Sequence, residues 1–139
     1  MKITESVIHE MIEHSQEILP NESCGYLGGK KGRIEVLYKM TNVDASPEHF
    51  SFDPKEQFQV VKAARKENLD VMGVYHSHPS SPARLSQEDL RLLNDPNMTY
   101  IIVSLKEAEP DIKAFTIYKK EDTIEIQHVE LTIEKGDAV

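Results

Sequence analysis

Apolar residues recur along this chain with two periods. Between residues 5 and 19, Val7, Ile8, Met11, Ile12, Ile18 and Leu19 fall at helical spacing, which predicts a first helix with one apolar face. Thr4 or Ser6 can cap its start, and Pro20-Asn21 stops it. Cys24 to Gly29 and Arg33 to Tyr38 read as short strands around the turn-rich run Gly28-Gly29-Lys30-Lys31-Gly32, and together they predict a hairpin. Phe50-Ser51-Phe52 alternates like a further short strand. Asp53-Pro54 then opens a second helix, with Asp53 as N-cap and Pro54 at the first helical position. That helix is expected to run to about Asn68, with Phe58, Val61 and Ala64 on its buried face.

Val71-Met72-Gly73-Val74-Tyr75 is a compact apolar run that predicts a central strand and delivers the chain to His76. After a loop with Pro79, Pro82 and several serines, a third helix is predicted from near Ser86 to just before Asp95-Pro96. Tyr100 to Leu105 predicts another buried strand, and Ile112 to Tyr118 with Thr123 to Val129 a second hairpin. Residues 134–139 are expected to fray, which leaves a single domain over residues 1–133. Helices and strands interleave, so the expected architecture is α/β, a sheet covered by helices.

Composition narrows the partners. At 139 residues the chain suits one domain with one core. A net charge of −8 argues against nucleic acid, because neutralising phosphates takes a basic surface. The local cluster Lys30-Lys31-Gly32-Arg33 reads as a charged hairpin turn. No apolar run approaches the ~18–20 residues that span a bilayer, so no membrane partner is expected. Met1-Lys2-Ile3-Thr4-Glu5 lacks the apolar segment of a signal peptide, and the expected location is cytoplasmic. One cysteine, Cys24, allows no internal disulfide; it is expected to be a small buried residue, not a nucleophile or a metal ligand.

The chemistry concentrates in His76-Ser77-His78-Pro79, Ser86 and Asp89, which fall within fourteen residues. In extended chain the spacing of His76 and His78 puts both rings on one side. If Ser86 is an N-cap, Asp89 takes the third helical position and can face back across the loop. Three such ligands with one open position suit a catalytic zinc ion, and also Fe(II), Ni(II) or Co(II). Glu22, just before a short apolar strand, is the candidate base. Plainer readings stand beside these. Ser86 and Asp89 can form a capping arrangement with Leu85 and Leu90 as a staple. Glu22 can be a solvated loop residue, and a His-x-His pair can occur by chance on a surface loop. Taken together the residues favour a metal site, and a cap that fixes the helix is compatible with a ligand on it. Ser77 should point away from the metal and support it from behind. His9, His14, His49 and His128 lack comparable neighbours and are expected at the surface or partly buried.

His76-Ser77-His78 followed by Ser86 and Asp89 resembles the JAMM motif of the MPN+ metalloproteases. Glu22-Ser23-Cys24-Gly25-Tyr26-Leu27-Gly28 resembles that family's upstream glutamate segment, and the similarity extends to Phe50-Ser51-Phe52-Asp53-Pro54 and Gly73-Val74-Tyr75-His76. The resemblance implies a cytidine-deaminase-like α/β JAMM/MPN fold, a curved mixed β-sheet flanked by about three helices. It implies one Zn2+ per chain, held by His76, His78 and Asp89, with Glu22 as general acid/base and Ser86 binding the oxyanion. It also implies hydrolysis of a peptide or isopeptide bond at the glycine-rich C-terminal tail of a ubiquitin-like or sulfur-carrier protein, as in compact prokaryotic members. A non-catalytic scaffold is the alternative, and the filled metal positions argue against it. A zinc deaminase would need His-x-Glu and Pro-Cys-x-x-Cys. His128-Val129-Glu130 matches the first by letters, but a single cysteine cannot supply the second.

Overall fold

The computed structural model describes residues 1–135. A short strand β1, Lys2–Thr4, runs into helix α1, Glu5–Ile18, where the Thr4 hydroxyl accepts the Val7 N–H at 3.3 Å as the N-cap. Strands β2, Cys24–Lys30, and β3, Arg33–Met40, form the expected hairpin. Lys31 and Gly32 turn it with φ of 50° and 74°, the left-handed pair that a two-residue hairpin of this kind requires. Helix α2, Pro54–Lys66, starts as read: the Asp53 carboxylate accepts the Lys55 N–H at 2.9 Å. Strand β4, Asp70–His78, is followed by helix α3, Gln87–Leu92, and strand β5, Thr99–Ser104. Strands β6, Asp111–Lys119, and β7, Ile124–Val129, form the second hairpin, and β8, Thr132–Glu134, closes the described chain.

The eight strands make one curled mixed sheet in the order β7-β6-β5-β4-β2-β3-β1-β8. The pairs β4–β5, β1–β3 and β1–β8 are parallel and the rest antiparallel. β4 lies in the middle, between β2 and β5, and α3 sits in its crossover to β5. Close approach there needs Gly73: a Cβ at this position would stand 2.5 Å from the Thr99 carbonyl oxygen of β5. Residues alternate between the two faces. Tyr75, Ile101 and Val103 join Val7, Ile8 and Met11 of α1 in the main core. Val74 and Tyr100 face the other way with Leu93 and Ile117. His76 and His78 share that second face by register.

Four expectations change. Phe50-Ser51-Phe52 is an irregular loop, not a strand. Both edges of the neighbouring β2 are already paired with β3 and β4, so the two phenyl rings cover the second face instead. On α2 only Ala64 is fully buried; Phe58 is 66% exposed, with Lys62 over its ring, and Val61 is 37% exposed. The helix meets the sheet along a narrow stripe, tied by a bond from Gln57 Nε2 to Tyr26 Oη at 2.9 Å. Glu134, expected in the frayed tail, pairs with Thr4 and accepts Arg33 Nε at 3.0 Å; residues 136–139 lie outside the described residues. His14 is buried, where it hydrogen-bonds Tyr75.

Candidate metal centre

β4 carries His76, Ser77 and His78 at its C-terminal end, all buried. The two rings fall on one face, as their spacing predicts, with Nε2 atoms 3.1 Å apart. α3 brings in Asp89, whose Oδ2 lies 3.1 Å from each of those nitrogens. Asp89 is placed there by a capping box: Ser86 Oγ accepts the Asp89 N–H at 3.0 Å, and Asp89 Oδ2 accepts the Ser86 N–H at 3.0 Å. The cap and the convergence therefore coexist, and the same carboxylate oxygen serves both.

The donor set fits a small cation. A tetrahedral ion with bonds of ~2.0–2.1 Å spaces its donors about 3.3 Å apart, close to the observed triangle. Two imidazole lone pairs and a carboxylate repel at this separation unless a proton or a cation lies between them. His78 Nδ1 donates to the Pro82 carbonyl at 2.8 Å, which turns the Nε2 lone pair toward Asp89. His76 Nδ1 has no partner among the described residues, and the ring stacks on Phe50 at 4.9 Å and 27°. Burial opposes the Asp89 charge, but the His76 and His78 rings outweigh it and hold the carboxyl well below its usual range. Burial likewise pulls His78 down, and Asp89 with the Pro82 carbonyl reverses this to a net rise.

Glu22 stands at the end of the loop that enters β2. Its N–H donates to the Ser46 carbonyl at 2.9 Å, and its carbonyl accepts Asn42 Nδ2 at 3.0 Å. The side chain is 3% exposed, and Oε1 has no hydrogen-bond partner among the described residues. Burial pushes the carboxyl up to about 8; His78 opposes this, while Asp89 and Glu48 reinforce it. Glu22, His78 and Ser86 line one cleft of about 520 Å³ with His49, Glu48 and Ser81. A second cavity of about 420 Å³ opens beside Asp89, walled by Tyr26, Phe50, Phe52, Leu93 and Tyr100.

The other candidates lie elsewhere. Cys24 is buried, and burial pushes its thiol up to about 12, so it is inert at neutral pH. His9 is exposed on α1, and His128 packs on Phe115 in the β6–β7 hairpin. Sequence reasoning missed Asn42 and Phe50. Asn42 organises the loop by accepting the N–H groups of Asp44 and Ser51 as well as holding Glu22, and an Asn in a loop gives no signal of such a role. Phe50 gives no site signal, because the alternation of Phe50-Ser51-Phe52 matches a strand.

The fold matches solved structures. A JAB1/MPN domain protein from Archaeoglobus fulgidus shares the fold, with a TM-score of 0.62, 24% identity and coverage of 96% of both chains. A solution structure of a protein from Desulfitobacterium hafniense superposes with a TM-score of 0.83 and 42% identity, covering 99% of this chain and 96% of that one. Curated relatives include a peptidase and a desampylase. The CysO-cysteine peptidase of Mycobacterium tuberculosis is 32% identical over 107 residues, 76% of this chain and 73% of that protein. The desampylase of Pyrococcus furiosus is 32% identical over 108 residues, 78% of this chain and 75% of that protein. Fold and relatives define the class, a peptidase domain of the JAB1/MPN fold. The chain belongs to the family of prokaryotic homologs of the JAB domain, which it matches over residues 4–118. Among the described residues no helix is long and apolar enough to cross a membrane.

Proposed function

We propose that this chain hydrolyses the peptide or isopeptide bond at the glycine-rich C-terminal tail of a ubiquitin-like or sulfur-carrier protein in the cytoplasm. In this reading His76, His78 and Asp89 hold one Zn2+, Glu22 is the general acid/base and Ser86 binds the oxyanion. One observation carries it. Three buried donors converge at 3.1 Å, beside a cleft into which Glu22 brings a buried carboxylate with an unpaired oxygen.

When bound, the ion supplies Lewis acidity, which polarises a carbonyl and brings the pKa of a coordinated water from ~15.7 towards ~7. Glu22 takes a proton from the attacking water and hands it to the leaving amine, so it must be ionised first and protonated later. Its raised pKa suits a group that has to do both near neutral pH. Ser86 Oγ already accepts the Asp89 N–H, which leaves its own proton free to be donated to the oxygen of the tetrahedral intermediate. Water is the nucleophile, so Ser86 forms no acyl-enzyme. The names of the relatives support the substrate class: one acts on CysO-cysteine and another is a desampylase.

The test is elemental analysis of untagged protein, followed by mass spectrometry of carrier fusions whose Gly-Gly tail is joined by an amide to cysteine or to lysine. About one zinc per chain and cleavage after the terminal glycine are expected. A zinc-loaded protein that leaves every such amide intact would remove the substrate assignment.

A further inference from the structure

β4 has two faces, and only one carries the metal donors. His76 and His78 point to the site, while Tyr75 before them and Ser77 between them point back into the protein. The backward residues form a buried polar cluster centred on Ser23, the neighbour of Glu22. Ser77 N–H donates to the Ser23 carbonyl at 3.0 Å, and Ser23 N–H donates to Ser77 Oγ at 2.8 Å. The Ser23 hydroxyl donates to Ser77 Oγ at 3.0 Å and accepts from the Tyr75 hydroxyl at 2.8 Å. His14 on α1 hydrogen-bonds that tyrosine, and Ser15 Oγ lies 3.2 Å from Ser23 Oγ. Ser15, Ser23, Tyr75 and Ser77 are all fully buried.

The pairing is irregular in an informative way. β2 and β4 run antiparallel with Cys24 opposite His76, so Ser23 is opposite Ser77. A regular rung would send the Ser23 N–H to the Ser77 main-chain carbonyl. Here the Ser77 hydroxyl takes that bond, and β2 begins one residue later, at Cys24. The ladder ends where Glu22 leaves it. Ser77 is thus joined by peptide bonds to both histidines and by three hydrogen bonds to the residue next to Glu22.

We propose that Ser77 is a positioning residue: its hydroxyl sets where the Glu22 carboxylate stands relative to His76 and His78. This rests on the reading of Glu22 as the acid/base. Ser77→Ala strips the buried Ser23 amide of its acceptor and removes two of the three bonds that join Ser23 to Ser77, which loosens the segment that carries Glu22. A displacement of ~1 Å at a catalytic group costs about 10²-fold in rate.

The experiment compares zinc-loaded wild type, Ser77→Ala and Ser77→Thr. It reads zinc content, kcat and KM on a peptide ending in Gly-Gly-aminomethylcoumarin, and crystal structures of all three. Ser77→Ala should keep one zinc per chain and lose about 10²-fold in kcat with KM little changed, and Ser77→Thr should restore most of the rate. Wild-type kcat in Ser77→Ala overturns the proposal, and so does loss of zinc in step with loss of rate. Should Ser77→Ala fold poorly, Ser77→Val beside Ser77→Thr makes the same comparison at equal shape. If zinc-loaded wild type leaves the peptide and the carrier fusions uncut, the functional reading fails. The crystal structures then still decide the positioning role: a Glu22 carboxylate displaced by about 1 Å in Ser77→Ala supports it, and an unmoved one overturns it.

Discussion

In the proposed reading Asp89 does two jobs with one oxygen, helix cap and metal ligand, and a pair of variants separates them. Oδ2 accepts the Ser86 N–H at 3.0 Å and stands 3.1 Å from both imidazole nitrogens. Asp89→Asn keeps the shape and an oxygen that can accept the Ser86 N–H, but it removes the charge that a cation requires. Ser86→Ala removes the hydroxyl that accepts the Asp89 N–H and leaves the carboxylate in place. At free zinc 100 times the dissociation constant, binding stabilises the wild type by about 2.7 kcal/mol. For a chain of this length each kcal/mol is worth roughly 3–5 °C, so wild type should melt roughly 8–13 °C higher in zinc than in EDTA. Disturbing a partner of a metal ligand costs about 10–100-fold in affinity, and losing the ligand charge costs at least the upper end. In Asp89→Asn the same zinc is then near its dissociation constant, and the shift shrinks to about 1–2 °C. Ser86→Ala should lose about 0.5–2 kcal/mol of helix-cap stability in both buffers and keep the zinc-dependent shift. Melting curves followed by circular dichroism in zinc and in EDTA read all of this. A full zinc-dependent shift in Asp89→Asn would refute its place among the ligands, and its loss in Ser86→Ala would refute the separation of cap from ligand.

Three further outcomes are expected. Glu22→Gln should bind zinc as wild type does and lose about 10²–10⁴-fold in kcat, checked by elemental analysis beside single-turnover kinetics; a fully active variant removes Glu22 from the mechanism. Burial, aided by Lys39, lowers the pKa of His14 below its ordinary 6.5, so the unfolded chain takes up the proton first as pH falls. His14 therefore contributes stability that is fully present above about pH 6.5 and lost as pH drops toward the lowered native value, and His14→Gln should flatten this part of a denaturant-measured stability profile in EDTA. Gly73→Ala should destabilise by about 1–3 kcal/mol, read as a lower urea midpoint, because its methyl meets the Thr99 carbonyl oxygen at 2.5 Å; an unchanged midpoint would mean that β4 and β5 separate freely.

Local signals are legible where the chemistry is local. Asp53-Pro54 started α2, Lys31-Gly32 turned the first hairpin, and the two-residue spacing of His76 and His78 put both rings on one face. Two three-residue strands, β1 and β8, escaped notice because so short a run has no period. The apolar stripe on α2 misled, since helical spacing tells which residues share a face and not whether anything covers it; Phe58 is exposed. His14 misled in the opposite sense, because its partner Tyr75 is 61 residues away.

By itself the sequence determined the three helices, the two hairpins, the strands β4 and β5, the helix caps and the short-range group of His76, His78, Ser86 and Asp89, all set by periods and contacts within a few residues. Tertiary structure alone decided that Glu22 joins His78 and Ser86 in one cleft, that Phe50 stacks on His76, and that Ser77 holds Ser23. Those placements depend on the register of β2 against β4, with Cys24 opposite His76. Register is a property of the paired sheet: a slip of one residue would turn every side chain to the other face and carry Glu22 away from the site.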